Sequence, residues 1–100
     1  MGKEVIWSPK VLVQLESIHS DVFDRSKSLQ IADKLINDIF DSSNILGSQP
    51  EMYPLDKYKI NNNGNYRAYE IYGYRISFRV TILAVRIIRV RHASRDPKIY

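Results

Sequence analysis

The stretch that decides how this chain is read is Tyr66 to Tyr100, YRAYEIYGYRISFRVTILAVRIIRVRHASRDPKIY. It threads seven arginines, one histidine and five tyrosines through β-branched residues, the composition of a short sheet with a cationic, aromatic face. From Tyr74 to Val80 the alternation is clean, with Tyr74, Ile76, Phe78 and Val80 on one face and Arg75, Ser77 and Arg79 on the other. Tyr66 to Tyr72 reads as the strand before it, reversing at Tyr72-Gly73, and Ala84 to His92 as the strand after a turn near Thr81 to Leu83. Ile87 and Ile88 make that last strand apolar on both faces, which predicts a central position. Arg86, Arg89 and Arg91 can share a face there only if the strand is bulged.

Upstream, the chain reads as scaffold. Lys3 to Ser8 predicts a short strand, and Ser8-Pro9 is a helix start, with serine as cap and proline where a missing N–H costs nothing. Leu12, Leu15, Ile18, His19 and Val22 form a helical stripe ending near Asp24. His19 beside that stripe is read as a packing residue. Ser26 to Ser28 marks a new cap, followed by a stronger stripe of Ile31, Ala32, Leu35, Ile36, Ile39 and Phe40 that ends near Ser42 or Ser43. Two amphipathic helices in sequence form a hairpin whose apolar face needs a sheet to cover it. Asn44 to Asn65 lacks periodicity, but so long a stretch without structure is unusual in a small domain, so Tyr58 to Ile60 is expected to pair or pack.

One hundred residues without cysteine suit one domain, residues 1 to 100, and exclude thiol catalysis and thiolate metal sites. No apolar run is long enough to span a bilayer, and the opening MGKEVIWSPK lacks the apolar middle of a signal peptide, so a cytoplasmic protein with no membrane partner is expected. The net charge of +4 is unevenly spread: residues 1 to 56 carry five Lys/Arg against nine Asp/Glu, and residues 57 to 100 carry ten against two. A positive sheet beside an acidic scaffold predicts an anionic partner, whether RNA, DNA or an acidic protein segment. Arg75 and Arg79 on one strand face should repel unless an anion joins them, and phosphate is the expected anion. The tyrosines of this region either stack on unpaired bases or pack in the core.

The pattern YRISFRV, a turn, then IIRVRHASRDP resembles the RelE/ParE superfamily of bacterial type II toxins, also called plasmid stabilisation proteins. The resemblance covers the whole chain. It implies an α+β fold, β-α-α-β-β-β, with a helical hairpin packed on a twisted antiparallel sheet, and a cognate antitoxin that masks the basic surface. It also implies one of two activities. RelE-like members cut mRNA on the ribosome, using the RNA's own 2′-hydroxyl and needing no metal or cofactor; ParE-like members inhibit DNA gyrase by binding. For the nuclease, the favoured reading here, the matching catalytic positions are Arg75, Arg95 and Tyr100. His92 is a candidate base, since imidazole suits proton transfer near neutral pH, or else structural, as in ParE-like chains. Arginine suits the phosphate through its bidentate fork, and a ring of arginines would lower a tyrosine's pKa. Arg95 either serves the phosphate or pairs locally with Asp96. The remaining candidate RNA-binding residues are Arg67, Arg79, Arg89, Arg91, Lys57 and Lys59, of which Arg67 is the only cation on the strand before Arg75.

Overall fold

The computed structural model describes residues 2–94 and 98–100. The elements run β1 (Glu4–Trp7), α1 (Pro9–Ser26), α2 (Leu29–Ser42), two short 3₁₀ turns (Asn44–Gly47 and Pro50–Met52), β2 (Tyr66–Ile71), β3 (Tyr74–Val80) and β4 (Ala84–His92). The helix boundaries follow from capping. The Ser8 hydroxyl accepts from the Val11 N–H, Pro9 sits in the first turn, and Lys27 closes α1 in a left-handed conformation. Ser28 then caps α2 by accepting from the Ile31 N–H. The inward line of α1 is rotated from the expected one. Val11 and Leu15 are buried and Ile18 packs on the core, whereas Leu12 is 41% exposed. On α2, Ala32 and Ile39 are buried and Ile31 faces out.

The sheet order is β1-β4-β3-β2, so β4 is central, as its doubly apolar Ile87-Ile88 predicts. The sheet is mixed rather than wholly antiparallel, because β1 runs parallel to β4 in the register Glu4↔Ala84 to Trp7↔Ile87. Parallel neighbours need a long connection. The helical hairpin and two strands between β1 and β4 supply it, and the β2-β3-β4 meander leaves β4 pointing the way β1 does. Tyr72 and Gly73 reverse the chain with both φ angles positive, at 52° and 79°. Phe78, Ile76, Val85 and Ile87 form the helix-side core with Val11, Leu15, Ile39 and Leu46.

The outer side of β1 is held by the first 3₁₀ turn, through a Lys3 N–H to Gly47 carbonyl bond of 2.6 Å. This clamp leaves no room for a side chain, since a Cβ on Gly47 would lie 2.7 Å from the Lys3 carbonyl oxygen. Gly47→Ala is therefore expected to destabilise the fold by about 1–3 kcal/mol, read as a lower midpoint in chemical denaturation. An unchanged midpoint would mean that the clamp gives way at no cost.

Candidate functional site: the arginine face of the sheet

The pleat sends Arg75, Ser77 and Arg79 of β3 away from the helices. On β4 the register shifts, with Phe78 opposite Ile87 and Ser77 opposite Arg89, so Ile88 is an extra residue. This is the bulge without which Arg86, Arg89 and Arg91 could not share a face. It brings Arg86, Arg89 and Arg91 onto one face with Arg75 and Arg79, and sets two like-charged pairs directly opposite each other, Arg75↔Arg91 and Arg79↔Arg86. Such pairs are destabilising unless compensated.

Compensation for the first pair comes from the loop before β2. The Ala68 N–H donates to the Pro54 carbonyl, Leu55 bridges Arg67, and the Asp56 N–H donates to the Tyr66 carbonyl, which delivers Asp56 to the sheet. The Asn62 amide braces the loop's return, donating to the Tyr66 carbonyl and accepting from the Tyr66 and Gly64 N–H groups. Residues 58 to 60 then pair with the chain at Tyr100, through Ile60 N–H to Tyr100 carbonyl at 2.6 Å and Tyr100 N–H to Tyr58 carbonyl at 2.9 Å. The expected pairing of Tyr58 to Ile60 is thus present.

Asp56 is enclosed, its side chain fully removed from solvent. Its carboxylate takes the Arg75 Nη2 at 2.9 Å, the Tyr100 hydroxyl at 2.6 Å and the Tyr58 N–H at 3.1 Å. Burial works to raise its pKa, but the bonds from Tyr100, Arg75, the Tyr58 N–H and Ser77 outweigh it and hold Asp56 below the usual carboxylate range. Tyr100 moves the other way. Burial, and then the neighbouring Asp56 carboxylate, push its phenol well above the ordinary value, opposite to the lowering expected from a ring of arginines. The Arg89 guanidinium lies 4.1 Å from the centre of the Tyr100 ring and donates to the Lys98 carbonyl at 2.9 Å. Burial, and then Arg91, push the Arg89 pKa down. Arg75 also lies 4.8 Å from the Tyr58 ring centre and 3.5 Å from a Glu70 oxygen. The space that remains among Asp56, Tyr58, Arg75, Arg89 and Tyr100 is about 10 Å³, no more than one water needs.

The candidate residues therefore divide. Arg75, Arg89 and Tyr100 meet around Asp56; Arg91 lies beside them, opposite Arg75. Lys59 sits between the Tyr66 and Tyr100 rings, 4.8 and 5.4 Å from their centres, and Lys57 lies over Tyr58. Arg79 is further along the face, over Tyr66. Arg67 is on the opposite side of the sheet, opposite Phe78, and donates to the Tyr53 carbonyl at 2.6 Å. His92 also points to the helix side. Its ring stands edge-on to Tyr74 at 5.3 Å and its Nδ1 is 2.8 Å from the Ser94 hydroxyl. It lines a cleft of about 340 Å³ with Gln14, Asp21 and Arg25. Arg95 lies outside the described residues. Of the tyrosines, Tyr69 and Tyr74 are core and Tyr72 is tied to Asp38. Among the described residues no cluster of three His, Cys, Asp or Glu is placed to hold a metal, and no helix is long and apolar enough to cross a membrane.

A sequence model of the family described as the ParE toxin of the type II toxin-antitoxin system, parDE, matches residues 5–97. The chain belongs to that family. No curated protein matches it. A solved structure titled "Chromosomal ParDE TA system from P. aeruginosa" is similar in fold, with a TM-score of 0.72 at 18% identity over 92% of this chain and 97% of that one. The chain is thus the toxin half of a type II pair, and the family implies a cognate antitoxin.

The residue that sequence reasoning missed in this ParE toxin is Asp56, the group around which the arginines meet. The only available signal was its position as the last acid before the basic half begins. Asp56→Ala leaves Arg75 only the longer, solvent-exposed contact to Glu70 and is expected to cost about 3–5 kcal/mol, against about 1–2 kcal/mol for Tyr100→Phe, both read by chemical denaturation. The pH dependence has two limbs. Asp56 titrates lower folded than unfolded, so its contribution is complete above the ordinary carboxylate value of about 4 and is lost as pH falls through the folded value. Tyr100 titrates higher folded, so its contribution is complete below about pH 10 and is lost as pH rises beyond it. Tyr100→Phe should flatten the alkaline limb and, by removing one of the bonds that hold the Asp56 pKa down, also make the acid limb shallower; an alkaline limb unchanged in that variant would contradict the assignment.

Proposed function

We propose that this ParE-family toxin arrests growth by binding DNA gyrase in the cytoplasm, without cleaving RNA. The observation that supports this over ribosome-dependent mRNA cleavage is the Asp56 carboxylate, 2.9 Å from Arg75 and 2.6 Å from the Tyr100 hydroxyl. A nuclease of this kind needs free cations for the phosphate and a group that exchanges protons near neutral pH. Here the guanidinium is engaged by an internal anion that would repel a phosphate. The phenol keeps its proton, and His92 faces the other side of the sheet. The remaining positive charge suits steering toward an anionic partner surface, and the antitoxin is the natural mask for it.

The purified toxin is expected to block supercoiling of relaxed plasmid by gyrase, and primer extension on translated mRNA during growth arrest should reveal no new 5′ ends. Translation-dependent cleavage at defined codons with supercoiling intact would overturn the proposal in favour of the endoribonuclease.

A further inference from the structure

The two like-charged pairs on the arginine face have different fates. Arg75↔Arg91 is answered by Asp56 and Glu70. Arg79↔Arg86 is not: both arginines are exposed, and among the described residues neither has a carboxylate within ion-pair distance. Among the described residues Arg79 has only the Tyr66 ring, 5.7 Å away. Immediately beyond them the β3–β4 turn presents Ile82 at 90% and Leu83 at 83% exposure. Local conformation does not require aliphatic residues there, since neither has a positive φ, and polar residues are usual in such reversals.

The turn is nevertheless held firmly. The Thr81 N–H and hydroxyl both donate to the Ala84 carbonyl, at 2.8 and 2.9 Å, and the Ala84 N–H donates back to the Thr81 hydroxyl at 3.1 Å. The Lys3 ammonium binds the Thr81 carbonyl at 2.7 Å. A preorganised apolar prong beside two uncompensated cations loses little ordering entropy on docking. The hollow at its base, about 720 Å³ and walled by Arg79, Arg86, Lys3 and Glu51, leaves space for side chains from a partner.

We propose that this tip, Ile82 and Leu83 flanked by Arg79 and Arg86, is the surface by which the toxin seizes its protein target, and that the target offers a small apolar pocket rimmed by carboxylates. The proposal rests on the reading that the toxin acts by binding. A protein fits better than an anionic bilayer, because only two aliphatic residues project and Glu51 lies on the rim.

Two double variants test it, Ile82→Ser/Leu83→Ser and Arg79→Glu/Arg86→Glu, each purified through its antitoxin complex and checked by thermal melting. Both should melt like the wild type, keep the antitoxin, and lose potency roughly tenfold or more in growth arrest and in supercoiling inhibition. Because each variant alters only exposed side chains, failure of one to fold leaves the other decisive. Undiminished growth arrest by a folded variant overturns the proposal, as does loss of antitoxin binding with toxicity retained. If the wild type arrests growth yet leaves supercoiling untouched, the gyrase reading falls, and the tip stands or falls on growth arrest alone. Sedimentation of the wild type, but not the variants, with phosphatidylserine vesicles at physiological salt would also overturn it, in favour of a lipid surface.

Discussion

The Asp56 carboxylate is the group on which the arginine face depends. A pleated strand fixes which side chains share a face, and the bulge at Ile88 adds two arginines to a surface that already carries three. Water alone does not resolve the crowding at Arg75 and Arg89, whose Nε atoms are buried and lack a partner among the described residues. A buried anion held by two side-chain donors and a backbone N–H changes the balance. It also ties together three segments distant in sequence: the loop at 56 to 60, strand β3, and the chain at Tyr100. A buried pair need not exceed a hydrophobic substitute in stability, but removing one partner is costly. That asymmetry is what locks the loop over the sheet.

Local signals made much of the fold readable. Ser8-Pro9 and Ser28 cap their helices through side chains that a single serine suffices to provide, and Tyr72-Gly73 turns because glycine adopts positive φ freely. Ile87-Ile88 announces a central strand because both faces must be covered. Asp56 was not readable, because its partners lie 19 and 44 residues away and no periodicity records such a choice. The orientation of His92 depends on the parity of the strand, which the bulge inverts; a histidine next to Arg91 in sequence is therefore on the other side of the sheet. The continuous β2–β3 register sets Arg67 apart from the other arginines, since its pairing with Phe78 sends it to the helix side. The direction of β1 was equally hidden, being set by the number of reversals in the meander rather than by any residue in β1.

Charge composition identifies a basic half but does not distinguish a cation that is free from one already engaged. Five arginines on one face suggest a continuous polyanion site. Geometry divides that face into a quenched end, where Asp56, Glu70, Tyr58 and Tyr100 occupy Arg75 and Arg89, and an open end, where Arg79 and Arg86 face solvent beside an apolar turn. Long-range steering depends on net charge and is retained by both ends. Short-range recognition depends on unspent donors and on apolar area that can be removed from water. Only the open end has both, so the same sheet that draws an anionic partner in from any direction can hold it at one edge.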